Sequence, residues 1–259
     1  MRAARACKYW WYDAWDWLVN GSQRLFGAPR IVTAPGEIAV DPHIHSMFSH
    51  CSIARPDRII LQAARLGLGG IAVLDHNDVS AIGELRACVE DLKRRRLIPE
   101  GFLIIPGVEI SSAAGHIGAL FVEEPVADGQ GCEETVRAIH EAGGLALAPH
   151  PYHSSGIGDA VFEAAFDAVE TLCGSVFDAR LVKLNADLAS DQRLAKAAKL
   201  GSSDAHYLQG IGSCHTVLRV DEPTLEAVRA AVIDRRCTPK MSPPYMRLQK
   251  LLGGVSRLK

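Results

Sequence analysis

The sequence predicts an α/β fold built around a largely parallel sheet that is either open or closed into a barrel. From residue 38 onward, short apolar runs alternate with amphipathic segments of helical length, which is typical of buried parallel strands covered by helices. Of the 259 residues, 48% are hydrophobic and 22% are charged, so the chain has enough apolar material for one sizeable core. It has no apolar run of about 18 residues, so we expect no transmembrane helix.

Residues 1–37 are predicted to form an N-terminal aromatic helix followed by a linker. All four tryptophans fall within eight residues of this segment, and apolar side chains recur there at helical spacing, which predicts an amphipathic helix over residues 8–26. Asp13 and Asp16 interrupt the apolar stretch, which argues against a signal peptide. The helix either caps the body of the protein, forms an oligomer contact through residues 1–30, or lies on a membrane surface.

Residues 38–237 are predicted to form the main domain, in which each strand is a short run rich in Val, Ile, Leu and Ala. The predicted strands are 38–45, 70–75, 103–110, 117–122, 145–149, 168–173 and 216–220. Apolar residues three or four positions apart predict the helices between them. The predicted helices are 57–66, 79–95, 133–142, 159–166, 190–199 and 224–235. A short basic C-terminal tail, residues 238–259, follows this domain.

The charge distribution is uneven and restricts the expected partners. Ten basic and two acidic residues lie in residues 1–30 and 238–259, which leaves 18 basic and 28 acidic residues, a net charge of −10, in residues 31–237. A net acidic body is a poor electrostatic match for duplex DNA, so we expect no duplex DNA partner. It is compatible with an enzyme that binds cations.

The cysteines indicate a reducing compartment. There are seven of them, an odd number, and none has the spacing of a CxxC motif, a pattern typical of reduced thiols inside a cell. We therefore expect a cytoplasmic protein, with peripheral membrane contact through residues 1–30 as the alternative.

Histidines concentrate where the predicted strands end. The clusters are residues 41–45 with His50 and Cys51, residues 75–78, Glu109 with His116, His150 with His153, and residues 204–206. In a strand, residues i and i+2 point to the same face, so His43 and His45 can converge on one metal ion. The carboxyl ends of parallel strands share one edge, where ligands bind, so we expect these imidazoles and carboxylates to meet in one cleft. Buried there without partners they would be costly, whereas metal ions would satisfy them.

With these clusters the chain resembles the polymerase and histidinol phosphatase (PHP) superfamily of metal-dependent phosphoesterases. The matching motifs are DPHIHSMFSHCS, VLDHND, PGVEISS with GHIGALFV, LAPHP and GSSDAH. The resemblance covers residues 38–237. It implies a distorted (β/α)7 TIM-like barrel with two or three divalent metal ions, Zn, Mn or Fe, at the carboxyl end of the barrel.

The resemblance also implies which residues bind each ion. The first ion would be held by His43, His45, Glu109 and Asp204; the second by Glu109, which would bridge the two, His116 and His150; and the third by His50, His76 and His206. Many members of the superfamily have Asp-Gly where this chain has His50 and Cys51. Histidine replaces an anionic oxygen ligand by a neutral nitrogen, which favours borderline metals. For Cys51, packing is the preferred interpretation and a ligand role is the alternative.

Four further residues are candidates for supporting roles. Asp41 and Asp75 precede ligand histidines, and they either orient these histidines through hydrogen bonds or simply solvate a strand end. His153 lies close enough to the ligands to contact the substrate or to donate a proton to the leaving group. Arg55 either meets a substrate phosphate or is a solvated loop arginine.

These residues predict hydrolysis of a phosphate ester by a metal-activated water at a di- or trinuclear site. A small phosphorylated metabolite or a nucleotide is the predicted substrate, and a phosphatase is favoured over a phosphodiesterase because the body is acidic. The alternatives are a phosphodiesterase or exonuclease acting on short nucleic acid, and a metal-binding regulatory module without turnover. An amidohydrolase is disfavoured because many of these enzymes use a carboxylated lysine as the bridging ligand, a position that falls on Glu109 here.

Overall fold

The computed structural model describes residues 30–242, which form an α/β fold of ten strands and five α-helices. The strands are β1 (Glu37–Ile44), β2 (Gly70–Val73), β3 (Leu103–Ile105), β4 (Gly107–Ser112), β5 (Gly115–Leu120), β6 (Leu145–Ala148), β7 (Ala168–Cys173), β8 (Ala198–Ser202), β9 (Cys214–Arg219) and β10 (Cys237–Met241). The helices are α1 (Pro56–Leu66), α2 (Ala81–Arg94), α3 (Cys132–Glu141), α4 (Ala179–Asp187) and α5 (Leu225–Ile233). None of these helices is long and apolar enough to cross a membrane. The predicted aromatic helix, residues 8–26, and most of the basic tail lie outside the described residues.

The strands form two five-stranded sheets. The first sheet has the order β10-β9-β1-β2-β3 and the second has the order β4-β5-β6-β7-β8. Parallel pairing joins β1 to β2, β2 to β3, β6 to β7 and β7 to β8, whereas the other neighbours are antiparallel. The predicted α/β class is therefore confirmed. The expectation of a largely parallel sheet is only half right, and the ladders of the described residues do not close into one barrel.

The two sheets meet where β3 passes into β4. One proline, Pro106, separates these strands, and its lack of an N–H group interrupts the ladder. The single strand predicted for residues 103–110 is therefore two strands in different sheets. A side chain at Gly107 would collide with the carbonyl oxygen of Ala119, so glycine allows the close approach of β4 and β5. Isolated bridges between Ile44 and Ala205, and between His76 and Glu109, connect the sheets further.

The core lies on both sides of the sheets and between them. Helix α1 is an example of an element that contributes to this core. It begins at Pro56 and buries Ile59, Ile60 and Ala63. The residue after its last turn, Gly67, has a left-handed conformation that favours glycine. A separate group of buried residues joins both sheets, and its members include Val40, Leu74, Ile105, Leu120, Leu147, Leu200 and Leu218. This apolar group packs between the two sheets and so fixes the strands whose carboxyl ends carry the predicted ligands.

The structure corrects several predicted elements. The helix predicted over residues 190–199 is a short 3₁₀ turn followed by β8, a strand whose sequence, with Lys199 and Gly201, has too little apolar pattern to be recognised. The helix predicted over residues 159–166 is only a 3₁₀ turn. Helix α4 and strand β10 were not predicted. Strand β10 contains Pro239, which suits its place at the edge of the first sheet because an edge strand tolerates the missing N–H group.

Candidate metal centre

The predicted metal ligands meet at the carboxyl end of β1 and its neighbours. His43 and His45 come from the end of β1, Glu109 and His116 from the β4–β5 hairpin, and His76, His150, Asp204 and His206 follow β2, β6 and β8. The pairing of β1 with β2 shifts register between Asp41 and Ile44, where Pro42 cannot donate to the ladder. An irregularity of this kind changes the direction of nearby side chains. Here it lies next to His43, whose side chain is directed into the centre.

Glu109 lies at the middle of the ligand cluster. Its oxygen Oε1 lies 3.5 Å from Nε2 of His43, 3.2 Å from Nδ1 of His116 and 3.4 Å from Nε2 of His150, and its oxygen Oε2 lies 3.4 Å from Nε2 of His45 and 3.0 Å from Nδ1 of His76. The residue is completely buried, yet neither oxygen has an aligned hydrogen-bond donor among the described residues. A buried carboxylate without such partners is costly. Divalent ions between the carboxylate and the imidazoles would remove this cost, so the residues present fit a metal centre.

Asp204 is the second carboxylate of the cluster. Its Oδ1 lies 3.2 Å from Nε2 of His45 and 3.5 Å from Nε2 of His43, and its Oδ2 accepts a hydrogen bond of 2.5 Å from Oγ of Ser175. Asp204 and His150 both have positive φ angles, 47° and 28°. Such backbone strain is typical of functional sites, and the surrounding structure must stabilise it.

The carboxylates of the cluster are ionised at neutral pH. Burial raises the pKa of Glu109, but His43, His116 and His150 lower it more, so this pKa lies well below its usual range. The pKa of Asp204 is lowered in the same way, since His43 and His45 outweigh the effect of burial. Burial lowers the pKa of His43, but Glu109 and other carboxylates raise it well above its usual value. The centre therefore offers anionic oxygens to a cation without first losing a proton from them.

Potential ligand atoms fall into overlapping groups, each with all atoms within 4.8 Å of one another. The groups are His43–His45–Glu109, His43–His150–Asp204, His76–Glu109–His116 and His45–Cys51–His76–His206. They contain every predicted ligand except His50. The assignment of His116 and His150 to the same ion stays a prediction, because these two residues fall in different groups.

The last group contains Cys51 where the resemblance places His50. His50 is exposed, and its ring stacks on that of His76 at 5.4 Å. Burial raises the pKa of Cys51, but hydrogen bonds with His206 and His76 lower it more, to about 7. The sulfur of Cys51 lies within 4.8 Å of ring nitrogens of the predicted ligands His76 and His206. Cys51 is also exposed, so packing does not explain its position.

Asp41 and Asp75 support the centre through loops. Asp75 accepts hydrogen bonds from the backbone N–H and Oγ of Ser46, at 2.7 and 2.5 Å, and from Oγ of Ser49 at 2.7 Å. Ser49 in turn lies 3.4 Å from Nδ1 of His45, so Asp75 reaches this histidine indirectly. Asp41 accepts from the backbone N–H groups of Ser203 and Gly212, both at 2.9 Å. It therefore holds the loop that carries Asp204.

Glu170 is a functional candidate that was missed in the sequence. It is completely buried on β7. Its Oε1 lies 3.0 Å from Nδ1 of His43, and its Oε2 accepts from the backbone N–H of His150 at 2.9 Å. A carboxylate in this place makes Nδ1 the protonated nitrogen of His43 and leaves Nε2 free for a metal. The available signal was a glutamate inside a strand predicted to be buried.

His153 and Arg55 differ in their relation to the centre. The ring of His153 lies 5.3 Å from that of His150, and its Nδ1 lies 2.9 Å from Oγ of Ser155, so His153 lies beside the ligands as predicted. Arg55 is exposed, and its guanidinium donates two hydrogen bonds of 3.1 Å to Asp57. This favours the interpretation of Arg55 as a solvated loop residue.

Comparison with known proteins finds similarity to PHP-associated and PHP-like proteins. A family model described as PHP-associated matches residues 193–237. The crystal structure of a two-domain protein from Bacteroides vulgatus, containing a predicted PHP-like metal-dependent phosphoesterase, superposes with a TM-score of 0.62 at 20% identity and covers 82% of this chain and 68% of that chain. The chain is thus similar to PHP proteins in residues 193–237 and in its fold. The similarity to the Bacteroides vulgatus structure, at 20% identity, shows the fold alone.

Two further relatives show how far the similarity extends. An uncharacterised protein of Methanocaldococcus jannaschii is 34% identical over 142 residues, which cover 50% of this chain and 78% of that protein. A lesion-specific endonuclease from Pyrococcus furiosus superposes with a TM-score of 0.56 at 17% identity, covering 76% of this chain and 56% of the endonuclease. The chain thus matches only about half of that endonuclease.

Proposed function

We propose that this protein is a metal-dependent phosphoesterase that hydrolyses the phosphate ester of a small phosphorylated metabolite or nucleotide. The observation that carries the proposal is Glu109, a completely buried carboxylate whose two oxygens face five histidines without an aligned donor among the described residues. We also infer that the two sheets correspond to the distorted (β/α)7 barrel of the superfamily, since isolated bridges join them at Ile44–Ala205 and His76–Glu109.

The donor set fits two or three divalent ions. Histidine nitrogens and carboxylate oxygens together suit Zn, Mn or Fe. Glu109 would hold two ions, because its two oxygens face different histidines. Bound divalent ions would lower the pKa of a water and neutralise the charge of the phosphate oxygens.

The protein's own residues have separate tasks in this proposal. Glu170 holds His43 in one tautomer and fixes the backbone of His150. The closed, buried side of the cluster excludes water from Glu109 and Asp204, which strengthens their electrostatic attraction for cations. On the open side, burial and the neighbouring His150 lower the pKa of His153. This favours the neutral imidazole at pH 7 and supports substrate contact as its role over proton donation.

A phosphomonoester is the favoured substrate because residues 31–237 carry a net charge of −10, which disfavours a polyanionic chain. A phosphodiesterase acting on short nucleic acid is the second candidate, because the Pyrococcus furiosus endonuclease shares the fold. Activity on mononucleotides or sugar phosphates without cleavage of oligonucleotides would support the first candidate, and the reverse result would replace it by the second.

The test combines metal analysis with a screen for phosphate release. The full chain, purified without a chelator, is analysed for metal and then assayed with Mn²⁺ or Zn²⁺ on mononucleotides, nucleotide bisphosphates, sugar phosphates, histidinol phosphate and short oligonucleotides. We expect bound metal and turnover on one substrate class, both lost in His45→Ala. The same substitution at His140, an exposed histidine that contacts Asp167, is the matched control and should leave both unchanged. Failure to bind metal at any concentration would overturn the proposal.

A further inference from the structure

We propose that Cys51 binds a metal ion as a thiolate together with His76 and His206, and that this position prefers Zn²⁺ to Mn²⁺. The proposal rests on the proposed function, because it concerns the same metal centre. The part formed by Cys51, His76 and His206 is called the outer part here, and the part around Glu109 and Asp204 is called the inner part. It names a ligand that the superfamily resemblance does not supply, since Cys51 takes the place that the resemblance gives to His50.

The ligand atoms are already close together. The sulfur of Cys51 and one ring nitrogen each from His45, His76 and His206 lie within 4.8 Å of one another. Around a tetrahedral zinc ion, ligand atoms at normal bond lengths are roughly 3.3 to 3.7 Å apart. A small adjustment of side chains therefore brings this group to bonding distance.

The ring contacts of His45 and His206 separate the inner ligands from the outer ones. Nδ1 of His206 lies 2.9 Å from the backbone carbonyl of Asp204, and a carbonyl oxygen only accepts, so Nδ1 carries the proton and Nε2 keeps its lone pair. Nε2 of His45 instead faces Glu109 and Asp204. His45 thus belongs to the inner ions, and the outer position has three protein ligands and room for water or substrate.

Serine hydroxyls on both sides hold the Cys51 loop against the histidines. Oγ of Ser52 lies 3.0 Å from the backbone carbonyls of both His45 and His206, which places the neighbouring Cys51 beside His206. Oγ of Ser49 accepts from the backbone N–H of His76 at 3.0 Å. The loop is therefore tied to the backbones of three histidines whose rings lie in the same group as Cys51.

The position of Cys51 is unlike that of a cysteine used for packing. Cys132, Cys173 and Cys214 are buried, whereas Cys51 is exposed. Its sulfur nevertheless lies within 4.8 Å of ring nitrogens of His76 and His206. An exposed thiol held against two imidazoles suits a metal ligand, and the thiolate makes the position softer than the inner ones, which favours zinc and cobalt over manganese.

The test is Co²⁺ substitution of the full chain after removal of bound metal with a chelator. A thiolate bound to Co²⁺ gives an intense charge-transfer band in the near ultraviolet. We expect this band in the natural protein and in His50→Ala, and we expect its complete loss in Cys51→Ser, with a fall of about one metal ion per chain. Cys88→Ser, a substitution of the same type outside the centre, is the matched control. Cys51→Asp should restore the metal content but not the band.

Competition by other metals tests the preference. We expect Zn²⁺ to abolish the band at equimolar concentration and Mn²⁺ to leave it unchanged. The proposal is overturned if the natural protein shows no band, if the band persists in Cys51→Ser, or if Mn²⁺ displaces the cobalt. Loss of the band in His50→Ala with its retention in Cys51→Ser would return the ligand role to His50.

The test also separates this proposal from the proposed function. Bound metal and phosphate release without a band would refute the thiolate ligand alone. A band that depends on Cys51, in a protein that hydrolyses no phosphate ester, would support the thiolate ligand and refute the phosphoesterase. Circular dichroism of each variant confirms that the comparison is made between folded proteins.

Discussion

The inner and outer parts of the candidate metal centre differ in burial and in what fixes their ligands. Glu109 and Asp204 of the inner part are 0% and 5% exposed, whereas His50 and Cys51 of the outer part are exposed. A buried carboxylate is costly unless it is paired, so a change of ligand in the inner part leaves an unpaired charge. In the outer part, water replaces a lost contact. The predicted carboxylate ligands of the inner part are buried, whereas His50 and Cys51, where the chain departs from the motif it resembles, are exposed. The departure thus lies where solvent reduces the cost of a change.

Replacement of the central carboxylate should have the largest effect. We expect Glu109→Gln to reduce phosphate release by more than about 100-fold, because residues that merely support a ligand already cost roughly 10- to 100-fold. Metal content and initial rates measure the effect. Glu124→Gln, at an exposed position, is the matched control. Activity within a few fold of the natural protein would show that the inner part does not depend on the carboxylate of Glu109.

Replacement of Glu170 tests whether metal binding in the inner part also depends on residues that contact the predicted ligands. Glu170→Gln keeps the size of the side chain but loses its charge and one acceptor for His43 and His150. We expect roughly 10- to 100-fold weaker metal binding, measured by competition with a chelating indicator. Glu163→Gln changes an exposed glutamate and should bind metal normally. An unchanged affinity in Glu170→Gln would mean that the tautomer of His43 is set elsewhere.

Replacement of Ser175 should have a smaller effect on the inner part of the centre. Its hydroxyl donates to Oδ2 of Asp204, and a hydrogen bond to a charged group is worth about 1.5–3 kcal/mol. We expect Ser175→Ala to reduce metal affinity or activity about tenfold, whereas Ser154→Ala, at an exposed loop position, should have no effect. Equal behaviour of the two variants would show that Asp204 is oriented without this serine.

Replacement of Arg55 should have the smallest effect on activity, because its guanidinium donates to Asp57. We expect KM of Arg55→Ala to change by less than about twofold, as for most surface substitutions. Steady-state kinetics on the best substrate of the screen measure this. A tenfold increase in KM with unchanged kcat would instead assign Arg55 to the binding of substrate phosphate.

The sequence predicted the inner part of the centre better than its supports. The HxH spacing places His43 and His45 on one face of β1, and strand ends bring Glu109 and Asp204 to them. Glu170 could not be assigned in advance, because its contact with His43 spans 127 residues and depends on how β1 packs against β7. The choice between His50 and Cys51 was equally inaccessible, since adjacent residues in a loop have no periodicity that shows which side chain turns inward.

The fold was predicted where local patterns are strong. Helices α1, α2, α3 and α5 lie within two residues of the predicted ends, because their apolar faces are continuous. The elements that were missed or misassigned have weak patterns. Strand β8 contains Lys199, whose Nζ donates to the carbonyl of Ala197 at 3.1 Å, and β10 contains Pro239. Their strand pairing is decided by neighbouring strands, which a local pattern does not record.

The contact of β1 with the loop before β9 determines when the centre can form during synthesis of the protein. β1 is synthesised early, but Gly212, whose N–H group donates to Asp41, lies 171 residues later in the chain. At about 5–20 residues per second, this delay is roughly 9 to 34 s. During that time His43 and His45 lack Asp204 and His206. A nascent chain therefore holds no assembled centre, and it can select a metal only after residues 204–212 have been translated.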